Sequence, residues 1–281
     1  MISALVISNS DTKFIYGESE KMKINNQKGF TLVEIAIVLV IIGLLLGGIL
    51  KGQELINSAR VRNLADQNSG IQAAYYGFID RYRQVPGDFI ALNATQAIGV
   101  TINLPAAAST TDGNGRIDHT LEETSGAWEQ LAKSQFLGGG FTPAAAVPAN
   151  ETDYADSAPK NAFNGSVILS RNDGYTGTAP SIRLNLHLGR NVPVSIAREL
   201  DIKVDDGLPN SGVLRLAEPV SGATGGMTTA FDTINLATSF AACTTESGVV
   251  VAGGAAGDGT DVTDIYDIFD DAQDCPQVFV Y

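Results

Sequence analysis

Between Phe30 and Leu50 the chain reads FTLVEIAIVLVIIGLLLGGIL, an apolar run broken by a single charge, Glu34. As an α-helix this run is about 30 Å long, enough to span the hydrocarbon core of a bilayer. No other stretch of the sequence approaches it, so one span is expected. Lys23 and Lys28 precede the run and the acidic bulk of the chain follows it. The positive-inside bias then puts the N-terminus in the cytoplasm and everything after about residue 51 outside.

The net charge is −13 over 281 residues. The first 29 residues hold four lysines (Lys13, Lys21, Lys23, Lys28) against three acids (Asp11, Glu18, Glu20), which leaves −14 on the remainder. A surface of that sign does not attract nucleic acid or anionic headgroups, so no nucleic-acid partner is expected. Apolar residues make up 44% of the chain, while Gly, Ala, Thr, Ser, Asn and Asp fill long stretches. That composition reads as a loop-rich, β-containing domain.

An ordinary secretory signal is cut after its apolar region, behind small residues. Here the polar stretch ends at Lys28-Gly29 and the apolar run starts at once, giving KGFTLVE. A basic residue, Gly, Phe, Thr-Leu, the fifth-position Glu34 and the long apolar run together resemble the processing site of the type IV pilin and type II secretion pseudopilin family. The resemblance implies cleavage at Gly29–Phe30 by a prepilin peptidase, N-methylation of Phe30 and retention of the apolar helix. It implies a leader over 1–29, a transmembrane and filament-core helix over 30–50, an amphipathic continuation over 51–85 and a globular domain over 86–281. The fold class expected is α+β, a long N-terminal helix packed on an antiparallel sheet. MKINNQKG, from Met22, has the size of a typical leader, so Met22 is expected as the true start; a longer leader is the alternative.

A charge at mid-bilayer costs roughly 2.5 kcal/mol or more, so such residues usually mark function or a partner. Glu34 lies about one helical turn from Phe30, whose amine is free and cationic after cleavage. The family resemblance implies that Glu34 of one subunit neutralises the Phe30 amine of a neighbour during assembly. The plainer alternative is a charge near the membrane edge that reaches headgroup water. Gly43 and Gly47 have the GxxxG spacing that lets helices approach. Where many pilins carry a helix-breaking proline, this chain has Lys51-Gly52.

Past Lys51 the apolar residues become periodic. Val61, Leu64, Ile71, Tyr75, Phe78 and Tyr82 form one stripe, with Asn68 at the missing position, and Pro86-Gly87 ends it. One helix of roughly 80 Å from Phe30 to about Arg83 is expected. Gln84–Asp88 opens a loop that continues to about Thr111. DGNGRID, Asp112–Asp118, sets oxygen side chains at alternate positions with glycine, a spacing like that of calcium loops. Asp112, Asn114 and Asp118 are therefore candidate Ca2+ ligands, although Thr110 and Leu121 fall where the outer acids belong. A turn rich in Asp and Gly is the alternative.

Thr120 to Glu123 fits a capping box, followed by a helix from about Leu121 to Leu137, with Leu121, Trp128 and Leu131 on one side and Gly138–Gly140 as its stop. Residues 141–160 read as loop and Ser166–Ser170 as a strand. Ile182, Leu184, Leu186 and Leu188 alternate with Arg183, Asn185 and His187, a half-buried strand that leaves His187 in solvent. Ile196–Leu200 reads as a short helix and Asp201–Gly207 as an acidic turn, either solvated or holding a cation through Asp201, Asp205 and Asp206. Val213–Leu216 and Gln277–Tyr281 read as strands. Outside the cytoplasm Cys243 and Cys275 can pair and close a C-terminal loop, which stabilises by roughly 3–4 kcal/mol; two separate buried thiols are the alternative.

The function expected is that of a structural subunit of a type IV pilus or a type II secretion pseudopilus. Its partners are a prepilin peptidase, other pilin or pseudopilin subunits and an inner-membrane assembly platform. It begins as a single-pass inner-membrane protein with a periplasmic domain and ends in the pilus or pseudopilus. A second reading is a minor tip pilin that acts as an adhesin. An enzyme is disfavoured, because only His119 and His187 exist and no nucleophile elbow, paired metal-ligand motif or phosphate loop is visible.

Overall fold

The computed structural model describes residues 30–103, 113–118, 120–143, 156–172, 175, 181–217, 242–246, 264–269 and 272–281. It divides into two units, Met1–Lys51 and Gly52–Tyr281. In the first, every residue from 30 to 51 is exposed, and from Leu32 onward they belong to helix α1 (Leu32–Tyr82). Among the described residues α1 is the one helix long and apolar enough to cross a membrane.

In the second unit α1 buries the stripe the sequence outlines: Val61, Leu64, Ile71, Ala74 and Phe78. Asn68, the polar member of that stripe, accepts a hydrogen bond from the Tyr281 hydroxyl, which ties the last residue of the chain to the helix. The helix ends where Arg83 takes a left-handed φ of 55°. The turn that follows is fixed by Gly87, at φ 94°. A Cβ there would lie 2.3 Å from the Glu123 carbonyl oxygen, so only glycine fits. Gln130 locks the same turn, accepting from the Gly87 N–H at 2.9 Å and donating to the Phe89 carbonyl at 2.7 Å.

The expected loop to Thr111 is interrupted by helix α2 (Ala91–Ile98), which buries only Ala91 and Ala94. Gly99 closes it at φ 83° with its N–H on the Thr95 carbonyl. Two alanines make a faint stripe, which is why periodicity does not reveal it. Helix α3 (Leu121–Lys133) starts as expected, with the Thr120 side chain accepting from the Glu123 N–H. It stops four residues before Leu137, because Gln135 turns to φ 67° and the N–H groups of Phe136 and Leu137 both fold back on the Leu131 carbonyl. The reversal brings the Phe136 ring to 6.3 Å from Phe78 and packs Leu137 on the core.

Strands β1 (Ile168–Asn172), β2 (Arg183–His187), β3 (Leu214–Leu216) and β6 (Gln277–Val280) form one antiparallel sheet in the order β1-β2-β6-β3. The register aligns Leu169, Leu186, Phe279 and Leu214 across it. Those four face the core that also holds Val61, Leu64, Trp128 and Leu131. Helix α4 (Val194–Val204) adds Ile196, Ala197 and Leu200, and is longer at both ends than Ile196–Leu200. Strands β4 (Thr244–Glu246) and β5 (Asp264–Tyr266), which sequence patterning does not signal, pair as a separate ribbon.

His187 corrects an expectation. The alternation is as read, with Leu184 and Leu186 on one face and Asn185 and His187 on the other. The second face is covered too, and it holds its own cluster of Tyr175, Ala217, Val278 and Val280. His187 is therefore buried, its Nε2 lies 3.4 Å from Asn172 Nδ2, and burial pushes its pKa down to about 4.

Candidate processing and assembly site

Gly29 lies outside the described residues, and Phe30 opens them. Thr31 precedes the first residue of α1 and Glu34 is the third residue in. The Glu34 N–H donates to Thr31 Oγ1 at 3.2 Å. Glu34 Oε2 accepts from both the backbone N–H and the hydroxyl of Thr31, each at 2.9 Å. This is a reciprocal capping box. Sequence reading finds that pattern at Thr120 and passes over it in TLVE, where the same spacing of Thr and Glu was the signal. The carboxylate thus has local donors at the helix N-terminus, where the dipole favours a negative charge. It remains within about one helical turn of Phe30.

Cys243 and Cys275 form a disulfide, and both residues are fully buried. It joins the start of β4 to the residue pair preceding β6. The neighbouring backbone is held as well: the Cys275 N–H donates to the Val192 carbonyl at 2.7 Å, and the Cys243 carbonyl accepts from Asp267 at 2.9 Å. Asp274 forms an ion pair with Arg190 and accepts from the Asn191 N–H at 2.9 Å.

Of the candidate calcium ligands, Asp112 lies outside the described residues. Asn114 and Asp118 come together, but with each other and with Arg116. Asn114 Nδ2 donates to Asp118 Oδ2 at 2.9 Å, and Arg116 Nε sits 2.6 Å from Asp118 Oδ1. The buried carboxylate of Asp88 accepts from the Asn114 and Gly115 N–H groups at 3.1 and 2.8 Å. Sequence reading left Asp88 in a loop. Among the described residues this turn is tied together by its own side chains and by Asp88.

The acidic stretch after Leu200 is less solvated than expected. Asp201 is buried at the end of α4, accepting from Tyr266 Oη at 2.8 Å and the Gly207 N–H at 3.2 Å. Burial first, and the nearby charges of Asp206 and Asp205, raise its pKa to about 7 against the pull of those two bonds. Asp205 accepts from the Val213 and Leu214 N–H groups, and Asp206 from the Leu208 N–H and the Ser211 hydroxyl. The three carboxylates offer oxygens within 4.8 Å of one another. Each is already engaged in folding the turn that leads into β3.

Residues 24–50 match the prokaryotic N-terminal methylation motif. No curated protein and no solved structure matches the chain. The matched residues run from the basic stretch through Gly29 and Phe30 to the end of the apolar run. The motif supports the type IV pilin and pseudopilin family, and the long apolar N-terminal helix followed by an antiparallel sheet is consistent with an α+β pilin-like fold.

Proposed function

We propose that the mature chain, beginning at an N-methylated Phe30, is a structural subunit of a type IV pilus or a type II secretion pseudopilus. The single observation that carries this reading is Glu34: one carboxylate at the capped N-terminus of an otherwise apolar, exposed helix, within a turn of the residue that cleavage makes cationic. In the membrane the Thr31 cap compensates the carboxylate. In a filament the Phe30 amine of a neighbour replaces or joins that compensation, and a charge-assisted contact between helices selects one axial stagger. The exposed apolar faces of the same helices bury one another, which gives the heterologous, non-closing contact a filament needs. The work is assembly rather than catalysis, and the partners are the prepilin peptidase, other subunits and an inner-membrane platform. The domain faces the periplasm before assembly, where a disulfide persists.

Mass spectrometry of material sheared from cells grown under piliating conditions tests the reading. Abundant protein there, beginning at methylated Phe30, is the result expected of a pilus subunit. Processed protein confined to the membrane fraction selects the pseudopilus. An unprocessed N-terminus refutes the reading.

A further inference from the structure

The face of the sheet turned away from the main core holds a chain of polar side chains, Ser170, Asn172, Asn185 and His187, all buried. Their hydrogen bonds run in one direction. The backbone carbonyl of Asn172 can only accept, and Asn185 Nδ2 lies 2.8 Å from it, so the Asn185 amide points its nitrogen that way. The same nitrogen lies 2.7 Å from Asn172 Oδ1. The Asn172 amide therefore turns its oxygen to Asn185 and its nitrogen away. That nitrogen donates to Ser170 Oγ at 2.6 Å and meets His187 Nε2 at 3.4 Å. An amide nitrogen only donates, so Nε2 presents its lone pair, and the His187 ring is neutral with its proton on Nδ1.

The register sets His187 opposite Ile168 on β1 and Val278 on β6, and Val278 opposite Arg215 on β3. Tyr175 packs with Val278 and Val280, bridges to Ala217 and lies 5.2 Å from the Arg215 guanidinium. Its hydroxyl donates to the Ser181 carbonyl and accepts from the Ser181 N–H at 2.8 Å. None of the four strands contains an acidic residue. On this face β2 brings Arg183, β3 brings Arg215, β1 and β6 bring no charge, and Tyr175 is the other titratable group. We propose that His187 is an acid-sensitive latch: the neutral ring keeps Tyr175 closed over Val278 and Val280, and a proton on Nε2 opens that face to water. Protonation sets Nε2–H against the Asn172 amide, donor against donor. Turning that amide over sets its nitrogen against the Asn185 nitrogen instead, so no single flip repairs the chain. The new cation joins Arg183 and Arg215 with no carboxylate on the strands to answer it, and a buried charge without a partner is relieved by admitting water. Tyr175 is tied by a single bridge and the bonds to Ser181, whereas β2 and β6 beneath it are laddered together. Burial already holds the ring's pKa near 4 against an ordinary 6.5, so the latch is shut above pH 6.5 and is released as pH falls toward 4.

The test uses the detergent-solubilised full chain with its histidine rings isotopically labelled. His119 and His187 are the two histidines, and His119→Gln leaves the His187 signal alone. At pH 7 the ring nitrogen shifts are expected to place the proton on Nδ1; a proton on Nε2 there overturns the proposal. Amide exchange read by mass spectrometry is expected to show protection of residues 277–280 falling roughly a hundredfold or more from pH 7 to about 3.5, after correction for the intrinsic rate. The α1 segment from Val61 to Phe78 is expected to keep its protection over the same range. Unchanged protection at 277–280 overturns the latch. Loss in both segments together overturns it too, because that is global acid unfolding rather than a local opening. His187→Gln keeps an oxygen that can accept from Asn172 and gains no charge, so 277–280 is expected to stay protected at low pH in that variant. The same fall in His187→Gln as in the wild type assigns the opening to other groups and overturns the proposal.

Discussion

Replacing Cys243 and Cys275 together by alanine opens a loop whose ends lie 32 residues apart in sequence. In the chain-entropy treatment, closing a loop of that length removes about 12 cal/mol/K from the unfolded ensemble, or about 4 kcal/mol at 25 °C. The structure gives the bridge a position where that loss matters. Two residues past Cys275 begins β6, which pairs with both β2 and β3 and so joins the halves of the sheet. Both sulfurs lie in the main core, and small voids left by alanine add about 1 kcal/mol. The expected loss is about 5 kcal/mol, a large share of the 5–15 kcal/mol typical of a domain. Urea unfolding of the detergent-solubilised full chain reads it through Trp128, the sole tryptophan, which is 1% exposed in the core. With a slope of about 3 kcal/mol/M, the midpoint should fall by roughly 1.5 M. Reductant added to the wild type should reproduce most of that fall. A shift in the alanine variant that reduction of the wild type does not reproduce would assign the effect to packing and refute loop closure as its source. No shift in either would refute the stabilising role altogether.

Three further outcomes follow from the same geometry. Glu34→Leu should still be cleaved at Gly29 but should enter filaments at least tenfold less than wild type, scored by quantitative blotting of the sheared fraction; equal incorporation would remove the charge-pairing role. Asp201 has a folded pKa raised from 3.8 to about 7, so its contribution is full below pH 3.8 and is lost as pH rises through about 7. Asp201→Asn should therefore flatten the fall in stability between pH 4 and 7.5, and unfolding midpoints that keep the wild-type slope would contradict the assignment. His187 is shifted the other way, from 6.5 to about 4, so its contribution is present above pH 6.5 and is lost as pH falls toward 4. His187→Gln should lessen that acid-side loss, measured by the same midpoints.

What the sequence made legible was local. The long apolar helix, the stripe from Val61 to Tyr82 and the cap at Thr120 each depend on residues within a few positions of one another, and each stands as read where the structure describes it. What it hid depends on partners far along the chain. His187 was placed on the correct face of its strand; that face is buried because Tyr175, Ala217, Val278 and Val280 gather there, and no periodicity within β2 can report it. Asp201 looked like the start of a solvated turn because its hydrogen-bond partner, Tyr266, is 65 residues away. Helix α2 escaped because its buried face is two alanines, and β4 and β5 because three-residue strands are too short to show alternation. The exception is Thr31, whose capping box with Glu34 is as local as the one at Thr120. The threonine and glutamate of the N-terminal methylation motif thus also cap the start of α1. A substitution that removes either side chain therefore weakens helix initiation, whereas Thr31→Ser, which keeps the hydroxyl cap, is expected to preserve it.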